Sequence, residues 1–273
     1  MPYKILIIFF FICNISHSQS FSNAISITGD GKGFIYVLDK SKNEITKLDS
    51  NLNIIKKSGD YGWASGQFIS PTYIDASSGL DIFVSDGNNY RVQRLDLNLA
   101  FISELKTNTI TFNPEFQFNT PVATLIVNSN NLFVIDKDNK RIVIYQNGEK
   151  PSNSFGDFKT SPTPLIEPVK LLKDNNNNIY ILDKGYNKIL IFDNFGNFIK
   201  TIELDNVKTF SIFNNNLYII SGNEIFIYEP QKNAFSEKIS LPENYQNKIT
   251  DLLIYNSEKY FILEKNKLSY IKP

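Results

Sequence analysis

The segment Ile82-Phe83-Val84-Ser85-Asp86-Gly87-Asn88-Asn89-Tyr90-Arg91-Val92-Gln93-Arg94-Leu95-Asp96 holds an apolar strand ending in an acid, a polar turn, and a second strand. Its first strand is apolar on successive residues instead of alternate ones, so both of its faces must be covered. The unit recurs. Phe34-Ile35-Tyr36-Val37-Leu38-Asp39, Leu132-Phe133-Val134-Ile135-Asp136 and Ile179-Tyr180-Ile181-Leu182-Asp183 carry the same apolar run and acid. Leu217-Tyr218-Ile219-Ile220-Ser221 and Tyr260-Phe261-Ile262-Leu263-Glu264 are weaker copies. Six copies at intervals of roughly 40 to 50 residues is the spacing of propeller blades.

Each anchor strand is followed by a polar turn and a strand with an apolar residue at a fixed place, Ile45, Val92, Ile142, Ile189, Ile225 and Leu268, so each pair reads as a hairpin. Before each anchor lies another apolar stretch, such as 24–28, 123–127 or 169–172, mostly apolar or hydroxylic. These stretches end in Gly/Asn/Asp turns that tolerate positive φ. A looser fourth strand follows at 52–56, 101–105 and 198–202. The chain is thus expected to be all-β, a six-bladed β-propeller of four-stranded antiparallel blades packed face to face around an axis. A β-sandwich is the competing arrangement, but it does not require six copies of one hairpin. The sixth repeat reaches Pro273 after its third strand, so either the segment near Gln19 to Asn23 supplies the fourth or the blade is incomplete. Tyr36, Phe83, Phe133, Tyr180, Tyr218 and Phe261 occupy equivalent places, which assigns them to packing.

Ahead of the repeats, Lys4 is followed by an apolar run from Ile5 to Cys13 and then by Ser16-His17-Ser18, the pattern of a secretory signal peptide. The domains expected are a signal segment 1–18 and a single propeller 19–273. The apolar run is about half the roughly 20 residues of a membrane-spanning helix, and no later stretch is longer, so no span is expected. Phe11 and Ile12 precede Cys13 where lipid attachment wants small residues, which argues against a lipoprotein. Cleavage after Ser18 removes the only Cys and the only His, so His- or Cys-based nucleophile systems and zinc sites lose their ligands and bases. Lys+Arg and Asp+Glu both number 28, and loss of Lys4 leaves a balance near −1, no footing for nucleic acid. No cofactor or metal is implied.

The run Gly62-Trp63-Ala64-Ser65-Gly66-Gln67-Phe68-Ile69-Ser70-Pro71, followed by Val84 through Asp96, resembles the NHL repeat family of propellers: a glycine-rich linker with GQF-x-x-P, then V-x-D-x-x-N-x-R-[IV]-x-x-[FL]-D. The third repeat keeps Asp136, Asn139, Arg141, Ile142 and Tyr145 at the same spacing. Repeats one and four shift the Asn (Asn43, Asn187) and carry Glu44 and Lys188 in place of Arg. The resemblance implies a propeller fold; it does not choose a function, since such propellers include RNA binders, lyases, lactonase-like relatives and interaction platforms.

Asp39, Asp86, Asp136 and Asp183 are read as structural turn residues accepting backbone N–H bonds. Arg91 and Arg141 brace turns or blades, or contact a ligand. Trp63, in a loop with Gly59, Gly62 and Gly66, either projects toward a partner or plugs the channel mouth. The function expected is an extracytoplasmic module, secreted or periplasmic and monomeric, that presents the blade linkers and the turns after the anchor strands to a protein, peptide or glycan. Trp63, Tyr90, Arg91 and Arg141 are its candidate binding residues. The alternative is a calcium-dependent lactonase-like hydrolase using carboxylates, which needs acids converging on the channel from the inner strands.

Overall fold

The computed structural model describes residues 18–107, 117–128, 130–245 and 248–273. All but the last residue of the expected signal segment, and most of the linker 106–121, therefore lie outside the described residues. In chain order a short strand β1 (Gln19–Ser20) precedes β2 (Ala24–Gly29), β3 (Phe34–Asp39), β4 (Glu44–Asp49) and β5 (Ile54–Ser58), the first blade. The second is β6 (Tyr73–Asp75), β7 (Asp81–Asp86), β8 (Arg91–Asp96) and β9 (Phe101–Lys106). The third is β10 (Pro121–Val127), β11 (Asn131–Asp136), β12 (Arg141–Gln146) and β13 (Lys150–Phe155), and the fourth β14 (Pro168–Lys173), β15 (Ile179–Asp183), β16 (Lys188–Phe192) and β17 (Phe198–Ile202). β18 (Val207–Phe213), β19 (Asn216–Ser221), β20 (Glu224–Glu229) and β21 (Ala234–Ser240) make the fifth. β22 (Ile249–Asn256), β23 (Lys259–Glu264) and β24 (Lys267–Ile271) belong to the sixth.

Each blade is a four-stranded antiparallel meander, and the six are arranged as a six-bladed β-propeller. The sixth sheet runs β1-β24-β23-β22, so its outer strand comes from the other end of the chain, with Gln19 opposite Leu268 and Ser20 opposite Lys267. The ring is closed by hydrogen bonds between the two ends of the propeller, and β24 is not left as an open edge.

The anchor strands β3, β7, β11, β15, β19 and β23 are buried along nearly their whole length, as their unbroken apolar runs require. Their side chains alternate between the two faces of a blade, so the core lies between blades. Ile35 and Val37 of the first blade share a cluster with Phe261 and Leu263 of the sixth. Leu182 and Ile191 of the fourth pack with Phe210 and Ile219 of the fifth. The six equivalent aromatics, Tyr36 through Phe261, are all buried. The expected first outer strand differs: it begins at Ile54 and not at Leu52. Asp49 Oδ1 accepts the N–H of Asn51 and of Asn53, both at 2.8 Å, and this closes a turn that holds Leu52 at φ +68 with its side chain buried.

Candidate functional site

A meander of this kind puts its blade linkers and the turns between second and third strands at one end of the ring, the linker face. The turns between first and second and between third and fourth strands lie at the other end, the hairpin face. On the linker face, the loop from β5 to β6 leaves through Gly59 at φ +114, where a Cβ would lie 2.4 Å from the carbonyl oxygen of Asn43, so only glycine fits. The loop then doubles back, with Phe68 N–H donating to the Asp60 carbonyl at 2.8 Å and the Phe68 ring buried beneath it.

What fixes this loop is Arg91, whose side chain is only 1% exposed. Its Nε donates to Asp86 at 2.8 Å, Nη1 to the Trp63 carbonyl at 2.8 Å and to Glu104 at 2.7 Å, and Nη2 to the carbonyls of Ala64 at 3.1 Å and Gln67 at 2.7 Å. A guanidinium has five N–H donors, and each has a partner here. Burial works against the charge of Glu104, yet hydrogen bonds from Lys106 and Arg91 hold its carboxyl below the ordinary range. Gln93 adds a second clamp: its Oε1 accepts the Gly66 N–H at 2.8 Å and its Nε2 donates to the Gln67 carbonyl at 2.6 Å. Asn89 Nδ2 reaches the Gly62 carbonyl at 3.0 Å.

Above this scaffold, Trp63 is 72% exposed, Tyr61 61% and Tyr90 53%. Tyr61 and Trp63 meet edge to face, ring centroids 6.3 Å apart. The structure thus brings Trp63, Tyr90 and Arg91 into one region but divides their roles. The indole and phenol stand in solvent, and Trp63 does not plug the channel. Arg91 lies under the patch with no donor left for a partner. Arg141 is elsewhere, on the third blade, where its Nη2 donates to the Gln117 carbonyl at 2.8 Å and its Nε to Asp136 at 3.3 Å. Tyr61 was not singled out from sequence; its spacing two residues before Trp63 in a turn-rich loop was the available signal.

The four acids are buried and tie each blade's incoming linker to its own turn. Asp39 accepts from Ser22 and Asn23 N–H, Asp86 from Ile69 N–H, Asp136 from Asn119 N–H, and Asp183 from Ile166 and Glu167 N–H. The donor in every case lies 16 or 17 residues upstream. In the fifth repeat Ser221 inverts the device, donating its hydroxyl to the Asp205 carbonyl at 2.7 Å.

The channel is more polar than the inner stretches suggested. Two residues into each blade's innermost segment, counting from Ala24, Pro71, Pro121, Pro168, Val207 and Ile249, stand Ser26, Tyr73, Ala123, Lys170, Thr209 and Asp251. Lys170 and Asp251 form a buried ion pair, and the Thr209 hydroxyl donates to the same carboxylate at 2.8 Å. Burial pushes the Tyr73 phenol well above its ordinary range, with Asp75 and Asp251 adding to the effect. Asp75, a further acid on an inner strand, is likewise raised by burial, against the opposing pull of the Ser77 and Ile126 N–H groups and the Lys173 charge.

These side chains have a structural task. An innermost strand has no neighbour on its channel side, so alternate N–H groups need acceptors. The preceding blade supplies them: Ser26 Oγ accepts from Ile74 N–H, Thr28 Oγ1 from Ala76 N–H, Ser211 Oγ from Ile254 N–H and Asp251 Oδ2 from Ile27 N–H. Above the ion pair the channel widens into a cavity of about 450 Å³ opening on the hairpin face.

No protein-family model matches the chain, and no curated protein matches it in sequence. Solved structures do. Virginiamycin B lyase from Staphylococcus aureus superimposes with a TM-score of 0.63 at 12% identity, covering 94% of this chain and 99% of the lyase. A catalytically inactive His-to-Ala variant of that lyase with quinupristin gives 0.62 at 15% identity, over 92% of this chain and 81% of the other. The WD40 β-propeller domain of Doa1 gives 0.65 at 9% identity, over 96% of both chains. The class is therefore a β-propeller of six blades. At these identities the likeness extends to the fold, which is shared by an enzyme and a WD40 domain.

Proposed function

We propose that this chain is an extracytoplasmic binding module of NHL-like repeats, which captures a protein, peptide or glycan partner on its linker face through Tyr61, Trp63 and Tyr90. The observation that carries this reading is the contrast between a buried, fully bonded Arg91 and the exposed aromatics it supports. Large aromatic rings left in water gain nothing for the fold, while a loop already ordered before binding lowers the entropy of capture. Trp and Tyr are also side chains that dominate binding energy at interfaces. Export is supported by the apolar run after Lys4, and β1 begins at Gln19, so cleavage after Ser18 spares every strand of the described residues. The likeness to virginiamycin B lyase does not extend to a histidine within the propeller, because the single histidine of this chain is His17.

A photo-crosslinking residue at position 63, activated in intact cells, should trap a partner. Trp63→Ala should then weaken its binding to the purified propeller by about 2 kcal/mol, roughly 30-fold. Normal capture by Trp63→Ala and Tyr90→Ala, with loss on changing the Asn175–Asn178 turn, would move the site to the hairpin face.

A further inference from the structure

The hairpin-face cavity lies at the opposite end of the ring from the aromatic patch and has a different chemistry. Its volume of about 450 Å³ falls within the range of small-molecule sites. Its walls are largely apolar, with Leu125, Leu172 and Leu253 at equivalent positions on the innermost strands of the third, fourth and sixth blades and Phe213 and Tyr255 toward the hairpin face. Among the described residues, the only charged side chains lining it are Lys170 and Lys173. Lys170 is matched by Asp251 at the floor. Asp75, the other acid of the ring, does not line the cavity; its Oδ1 accepts the Ser77 N–H at 3.0 Å, and its carboxyl lies within electrostatic reach of Lys173, which is the cation of the cavity with no carboxylate lining it.

The backbone adds donors on the same side. The N–H groups of Ile27, Ile74, Ala76 and Ile254 point away from their ladders and are met by Asp251, Ser26, Thr28 and Ser211. Strand alternation turns the N–H groups of Gly29, Lys173 and Ile212 the same way. The positions of the preceding blade that would meet them hold Leu253, Leu125 and Leu172, which have no acceptor to offer. Gly29, Lys173 and Ile212 all line the cavity. Unmet amide donors and an ammonium in a mostly apolar recess favour an anion carrying an apolar body.

We propose that this cavity binds an amphipathic monocarboxylate, with its carboxylate held by Lys173 and the unmet N–H groups and its apolar body between Leu125, Leu172 and Leu253. The site is independent of the linker-face patch. Calorimetric titration of the full propeller with octanoate, octan-1-ol and octylamine tests it, since the three share an apolar body and differ in charge. Octanoate should bind, and the alcohol and the amine should bind about tenfold more weakly or worse. Lys173→Gln should weaken octanoate about tenfold without lowering Tm, while Lys232→Gln, on an exposed outer turn, should leave binding unchanged. Methyl resonances of Leu125 and Leu172 should shift on adding octanoate to the unaltered protein. The proposal is overturned if octanoate does not bind at millimolar concentration, if all three compounds bind alike, or if binding leaves those methyl resonances unmoved.

Discussion

Arg91→Lys tests whether the exposed aromatic patch is held in place by one buried guanidinium. Arg91 makes five hydrogen bonds: to Asp86, to Glu104, and to the carbonyls of Trp63, Ala64 and Gln67. Lysine keeps the charge but has three donors on a single nitrogen, which cannot span acceptors arranged around a planar fork. At least two bonds are lost. A bond to a charged donor is worth about 1.5 to 3 kcal/mol, so the loss is roughly 3 kcal/mol or more, partly offset where water reaches the freed carbonyls. For a domain of this size that corresponds to a fall in Tm of roughly 6 to 12 °C. The loop can be followed separately, because Trp63 is the only tryptophan in the chain. Its fluorescence anisotropy should drop and its quenching by acrylamide should rise in Arg91→Lys at temperatures well below the melt. Unchanged anisotropy together with an unchanged Tm would show that the loop orders itself without Arg91, and the argument for a pre-ordered patch would fail.

Three further outcomes follow from the same contacts. Trp63→Ala should change folding stability by no more than about 0.5 kcal/mol in a denaturant titration, since an exposed side chain contributes little to the core; a large loss would mean that the indole is part of the packing. Asp75 has its carboxyl raised by burial, so the charged form costs the folded state stability above that folded pKa. Asp75→Asn should therefore raise Tm near pH 7, with the gain shrinking as pH falls through the raised pKa toward the ordinary range near about 4. A variant uniformly less stable at every pH would refute the sign. Deleting residues 19–23 removes β1 and the Phe21 N–H bond to the Asn266 carbonyl at 2.9 Å, together with the Ser22 and Asn23 donors to Asp39. Stability should fall by about 3 kcal/mol or more, and an unmoved denaturant midpoint would show that the ring does not depend on this closure.

The sequence by itself determined the blades. Six apolar runs recurring at intervals of roughly 40 to 50 residues can be buried only between neighbours of the same kind, and turn residues such as Asn214 and Asn215, both at positive φ, set where strands reverse. The turn acids were legible for the same reason: an Asp at a strand end has nearby N–H groups to accept from. Their longer reach, to linkers 16 or 17 residues upstream, came from the fold. Only the tertiary structure decided what depends on ring geometry. Arg91 read as a brace, with a ligand contact as the alternative, and the sequence could not name what it braces, because its five partners come from three separate stretches of chain. Lys170 and Asp251 stand 81 residues apart in sequence, and Asp251 meets Ile27 across 224 residues. Neither residue has its partner on its own strand. Closure brings the innermost edges of six sheets around one axis, where an N–H unmet in its own blade is answered by a side chain of the preceding one, and no local pattern records that pairing.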